Sequence, residues 1–263
     1  MKNLANRLFL QPLMLQEIAI VAILIPIVVF FFRFISEDVT NNFGPVAVAV
    51  AIAAGWGLCL GIMTKYLLVR PAIEAAEQEH CTPAEMEKAL RSLAKLPLAE
   101  AVMSFARFGI FGNLIGAWPL YLLGHIPYID LLFSINSVFM VGLLTMPVVY
   151  LLSENSLSSF YQENDLHGLL DGDQGIFRMS ISQKTMATML CIAIPPLELV
   201  LSLIFLSMAR DIDIANFRMG FYVIILETTL LVFLAGFLLM RNLSVSVGKI
   251  SMMFKDMAKG RGD

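Results

Sequence analysis

Residues 103–152 read MSFARFGIFGNLIGAWPLYLLGHIPYIDLLFSINSVFMVGLLTMPVVYLL. Two apolar runs, from about Met103 to Leu123 and from about Ile129 to Leu152, flank a tight turn at Gly124–Pro127. Each run has the length of a helix that crosses a hydrocarbon core of about 30 Å. A turn this short leaves the two runs antiparallel. The stretch predicts a transmembrane helical hairpin.

Four more runs of the same kind lie outside it, from about Glu17 to Ile35, Val46 to Val69, Thr185 to Ala209 and Met219 to Met240. Composition agrees: the 263 residues are 58% hydrophobic and 15% charged, with a mean hydropathy of +0.78, whereas soluble domains carry roughly 25% charged residues. The expected fold class is all-α, a polytopic membrane protein of six transmembrane helices with a C-terminal coiled-coil helix. The three cysteines, Cys59, Cys81 and Cys191, are scattered and suggest no disulfide or zinc framework. Residues 1–16 read as a retained lead-in and not as a cleaved signal peptide.

Basic residues orient the helices. Fifteen of the 18 Lys and Arg fall on one side, Lys65, Arg70, Arg107 and the five from Arg241 onward among them. Arg33, Arg210 and Arg218 fall on the other. The first side is expected to be cytoplasmic, with both termini there. The outer turns are short, which excludes an outer ligand-binding domain. The first inner connection contains CTPAEMEKALRSLAKLP. Thr82 and Glu85 form a capping box with Pro83 at the first helical position. Met86, Leu90 and Leu93 share a face, and Glu87 can pair with Arg91. A cytoplasmic amphipathic helix is expected. The second inner connection, residues 153–184, is more polar and is broken by Gly168, Gly172 and Gly175.

The chain closes with LLMRNLSVSVGKISMMFKDMAKGRGD. Leu243, Val247, Ile250, Phe254 and Met257 recur at heptad spacing, the seam of a helix that packs parallel to a copy of itself. Lys249, Lys255 and Lys259 stay off the seam. A juxtamembrane helix lying on anionic lipid is the alternative, although such a helix usually has a wider apolar face.

The run from Arg241 to Asp263 resembles the first helix of a HAMP domain, the signal relay of bacterial transmembrane receptors. The Arg at the membrane exit, the spaced aliphatic seam and the closing MAKGRGD carry the resemblance, and GRGD looks most like chemotaxis-receptor HAMP domains. The preceding chain resembles the six-helix membrane modules of some bacterial adenylate cyclases and receptors, on layout and on KLPLAEAVMSFARFG leading into the third helix. The family usually has a proline early in the relay helix, where Ser246 stands here, so the resemblance implies the seam and not a bend. It divides the chain into a lead-in (1–16), a six-helix sensor domain (17–240) and the start of a relay helix (241–263). It also implies that the chain is a fragment with an output domain to follow.

Ionisable groups inside a membrane are functional candidates. Glu198 sits mid-helix in the fifth run, just after Pro195-Pro196, and Glu227 sits mid-helix in the sixth. A shared ligand, ion or proton site is expected there, against the alternative of simple packing. Asn113 and Asn136 are lesser ligand-binding candidates, with interhelical hydrogen bonding the commoner role. Trp118, His125 and Tyr128 suit an interfacial aromatic belt. The step from Gly57 to Gly61 suits close helix packing. No metal spacing, nucleotide loop or nucleophile motif is found, so no cofactor, no nucleic acid and no enzyme activity of these residues is expected.

The reading is a signal-transducing receptor module. A membrane-embedded or small-molecule stimulus shifts the sixth helix. A parallel homodimer then passes the change through Arg241, Leu243, Val247, Ile250, Phe254 and Met257 to cytoplasmic signalling proteins or a cyclase output. The alternative is a small ion-coupled transporter or channel, for which no inverted repeat is found.

Overall fold

The computed structural model describes residues 9–30, 43–77, 82–163, 180–209 and 214–258. All the elements formed by these residues are helical. They are α1 (Gln11–Phe30), α2 (Phe43–Glu77), α3 (Pro83–Phe105), a π-helical segment (Ala106–Ala117), α4 (Trp118–Leu122), α5 (Tyr128–Glu163), α6 (Ile181–Ala209) and α7 (Ile214–Ala258). Five helical stretches are long and apolar enough to cross a membrane: 44–75, 84–122, 128–158, 182–205 and 218–241. The 20-residue α1, equally apolar, makes a sixth candidate.

Several helices outrun the lengths expected from the sequence. At the end of α2 the cause is a proline. Arg70-Pro71 reads as a terminator, yet α2 continues through Pro71 to Glu77. As the fourth and fifth runs anticipate, α5 passes Pro147 and α6 runs through Pro195-Pro196; α5 then continues beyond Leu152 to Glu163. A proline inside a helix removes one backbone bond, which neighbouring helices and local adjustments can offset in a membrane bundle. The expected cytoplasmic amphipathic helix is likewise not a separate element. It is the first half of one rod, α3 through the π segment to α4, which crosses Pro97 unbroken. Its capping box is present, with Glu85 N–H donating to Thr82 Oγ1 and Thr82 N–H to a Glu85 carboxylate oxygen. The Arg91–Glu87 pair is also formed, at 2.6 Å. A second capping box opens α6: Ser180 N–H donates to Gln183 Oε1, and Gln183 N–H to Ser180 Oγ.

The centre of the bundle is α5. Its apolar window is 61% buried, against 18–28% for the other four spans. One core cluster joins α1, the π segment, α5 and α7 through Ile20, Phe108, Val148 and Leu238. Another lies in the long ends of α2, α3 and α5, through Val69, Leu90, Leu93 and Leu157, so the apolar face expected of Met86, Leu90 and Leu93 packs on α2. A third joins α5, α6 and α7 through Phe133, Leu203 and Ile224. Where α5 crosses the π segment the backbones nearly touch: a Cβ at Gly142 would lie 3.1 Å from Gly109 N and from Phe105 O. The turn from α4 into α5 needs Gly124, the residue with a positive φ of 75°. Beside it Trp118, Tyr121 and Tyr128 meet edge to face.

Candidate functional site

Three helix faces converge on a buried polar cluster. On α1, Gln16 and Glu17 precede Ile20, which belongs to the central core. On α2, Gly57, Gly61 and Lys65 are four residues apart and share a face. On the α3–π rod, Glu100, Ser104 and Arg107 do the same at spacings of four and three. Each face presents polar groups to the other two, so the chain has no need to expose them to lipid.

Lys65 is only 1% exposed and Glu100 7%. Lys65 Nζ lies 2.7 Å from Glu100 Oε1, in an ion pair without hydrogen-bond alignment. Gln16 closes the triangle. Its amide Nε2 donates to Glu100 Oε2 at 2.6 Å, and its Oε1 accepts from Lys65 Nζ at 3.1 Å. Next to this triad, Arg107 Nη1 reaches both carboxylate oxygens of Glu17, at 2.7 and 2.9 Å. The cluster thus holds two cations and two carboxylates, and its formal charges cancel. Ser104 Oγ donates to Thr145 Oγ1 on α5 at 2.9 Å and ties the cluster to the central helix.

The cluster encloses a cavity of about 40 Å³, lined in part by Gln16, Glu17, Gly61, Thr64, Glu100 and Arg107. About 10–15 Å³ open to a water-sized sphere is enough to hold one water, so the space has room for water. Two buried atoms at its edge lack a hydrogen-bond partner, Arg107 Nε and Glu100 Oε1. One is a donor and the other an acceptor, and Glu100 Oε1 keeps its ion pair with Lys65 Nζ at 2.7 Å.

Charge is tightly tied to packing here. Removing either member of the buried Lys65–Glu100 pair leaves the other uncompensated, at a cost of about 3–5 kcal/mol. A run of packed residues links the cluster to α7. Glu17 lies one turn from Ile20, and Ile20, Phe108 and Leu238 share the central core. The Leu238 carbonyl also receives the Asn155 amide at 3.5 Å. Leu238 stands five residues before Leu243 on the same helix.

The sequence-derived candidates fall elsewhere. Asn113 is buried in the π segment, its Nδ2 donating to Gly109 O at 2.9 Å and reaching Ile135 O at 3.4 Å, while its Oδ1 has no partner. Asn136 donates to Ser202 Oγ on α6 at 3.0 Å. Both make hydrogen bonds across or within helices. Glu198 is half-buried on α6. The backbone of Glu227 lies on α7, whose packing against α6 brings the two helices together, but its side chain is outside the described residues. The same holds for the side chains of Leu243, Val247, Ile250, Phe254 and Met257, whose backbone continues α7. Arg241 is exposed. His80, Cys81, His167, Gly168, Gly172 and Gly175 also lie outside the described residues. Among the described residues no three His, Cys, Asp or Glu side chains gather for a metal ion.

Lys65 and Arg107 count on sequence as inner-side cations. In the structure neither is free to meet headgroups, because each is paired inside the bundle. The available signal was their position on the faces of Gly61 and Ser104, opposite the Gln16-Glu17 pair.

No family model, curated protein or solved structure matches the chain.

Proposed function

We propose that this chain is a signal-transducing receptor module of a bacterial inner membrane, with six spans and both termini in the cytoplasm. The observation that carries the reading is α7. It runs unbroken for 45 residues, from Ile214 to Ala258, about 68 Å at 1.5 Å per residue. A span and the heptad seam are therefore one mechanical object. A rotation or shift set inside the bundle arrives at Leu243, Val247, Ile250, Phe254 and Met257 without crossing a loop. A second copy of the chain, packed parallel along this HAMP-like seam, converts the shift into a change between two arrangements. The output is of the chemotaxis-signalling or cyclase type.

The charge cluster at Glu17, Lys65, Glu100 and Arg107 is the stimulus-sensitive node in this account. Its link to α7 is the Ile20–Leu238 core. Glu198 and Glu227, on the paired helices α6 and α7, form a second acidic location that biases α7 directly. The test is a chimera in which a cyclase output follows Asp263 in the native helical register. Glu17→Gln and Arg107→Gln should shift basal output while the protein remains folded in the membrane. Parent-like output from both would sink the reading.

One observation favours a second reading, a small ion-coupled transporter or channel. Two carboxylates surround a water-sized cavity inside an apolar bundle, as coupling-ion sites do. Proteoliposomes separate the readings: a proton or sodium flux abolished by Glu17→Gln or Glu100→Gln supports transport, and its absence favours signalling.

A further inference from the structure

The long ends of α2 and α3 carry a second feature, outside the charge cluster. A groove of about 510 Å³ runs beside α3 and is lined by Leu68, Ala84, Glu87, Lys88, Arg91, Ser92 and Lys95. Its floor forms where the helices cross, with Ser92 Oγ donating to Leu68 O at 2.8 Å. Lys88, Arg91 and Lys95 recur at spacings of three and four, so all three cations stand on one exposed face. Arg91 is held by Glu87. Lys88 is within electrostatic range of the Glu85 carboxylate, which is engaged by Thr82 at the helix start. Lys88 and Lys95 enter no ion pair among the described residues. Three lining cations against one lining acid leave the groove with an excess of positive charge.

The groove sits at a boundary. On α2 the exposed large apolar residues Met63, Tyr66 and Leu67 end the lipid-facing belt. On the rod that begins with α3, the belt resumes at Val102. Among the described residues no exposed large hydrophobic falls between Leu67 and Val102. The exposed surface there is charged instead, with Arg70–Glu74 on α2 and the three cations on α3. A membrane that covers the apolar belt therefore places its headgroup layer at the groove.

We propose that this groove is a binding site for the headgroup of an anionic phospholipid. The phosphate lies between Lys95 and the Lys88–Arg91 turn, and an acyl chain follows Leu67 and Met63 back into the bilayer. The charge complementarity is of the kind that draws basic segments to anionic leaflets. The proposal rests on the membrane reading alone and does not depend on signalling.

The test uses the full chain in detergent and native mass spectrometry. Phosphatidylglycerol is titrated against phosphatidylcholine. The parent should retain phosphatidylglycerol preferentially. A basic residue near an anionic surface contributes about a fivefold preference, so Lys88→Gln and Lys95→Gln should each lower the preference about fivefold. Lys249→Gln with Lys255→Gln, on the C-terminal helix, should leave it in place. An unchanged preference in the Lys88/Lys95 double variant would overturn the proposal. So would displacement of the lipid by glycerol phosphate or an acidic peptide as effective as phosphatidylglycerol itself, which would reassign the groove to a soluble anion or an acidic protein. Loss of lipid preference with normal output in the chimera separates this site from the signalling account.

Discussion

Arg107 lies against the backbone of α2 because Gly57 has no side chain: a Cβ built on Gly57 would meet Arg107 Cγ at 2.2 Å. The arginine stem occupies the place of that methyl group, and its guanidinium then reaches Glu17. Gly57→Ala should therefore act on the ion pair and not on the helix. Alanine is the better helix former by about 1 kcal/mol, so in a span that touched nothing the change would stabilise. Here it should lower the thermal midpoint in detergent by roughly 5 °C, as expected for about 2 kcal/mol in a chain of this size. Gly55→Ala, with open space at its Cβ, should not lower it. In an Arg107→Ala background the penalty should vanish. Its persistence there would assign it to something other than Arg107.

Lys65 and Glu100 give a second prediction. Removing one member of a buried pair leaves the other unpaired, at a cost of about 3–5 kcal/mol. Lys65→Met should thus be among the most destabilising single changes in the protein. Glu100→Gln in the same chain should return much of the loss, because the remaining charge is gone. A thermal-unfolding series of the two single variants and the double variant measures this coupling. Strict additivity would mean that the two side chains do not interact.

Short-range features were legible in the sequence and long-range ones were not. The Thr82–Glu85 capping box, the Glu87–Arg91 pair and the Gly124 turn each lie within a few residues, and each forms as the spacing requires. Gln16, Lys65 and Glu100 meet across 49 and 84 positions. Taken singly, each resembles an ordinary polar residue near the end of a span. The end of the second helix was misread at Pro71 because proline's local cost is visible in sequence and the packing that offsets it is not. The twelve-residue π segment carries no local signature at all. Two of its glycines, Gly109 and Gly112, face α5 closely.

Topology can be read by fusion. Reporters placed at Asn42, His125 and Asp213 should all report the outer side, as six spans with inner termini require. An inner report at any of them would remove the basis for a cytoplasmic relay.

The acids on α6 and α7 are separable from the cluster. Glu227→Gln keeps the shape of the side chain and removes its charge. In the cyclase chimera it should shift basal output or abolish the response, and Glu198→Gln should do the same if both acids serve one site. Two variants that assemble and signal like the parent would make both acids packing residues.

The central claim is that the charge cluster and the C-terminal seam are two ends of one moving part. Single cysteines at Val247, Ile250 and Phe254, in a chain whose native cysteines are replaced, measure this through the rate of cross-linking between copies in native membranes. In the parent these three should cross-link readily, and Lys249→Cys and Lys255→Cys far less. Adding Glu17→Gln, some 230 positions away in sequence, should change the ratio of the rates among the seam positions by several-fold. Equal rates at all five positions, or a seam pattern untouched by Glu17→Gln in a folded protein, would contradict the account.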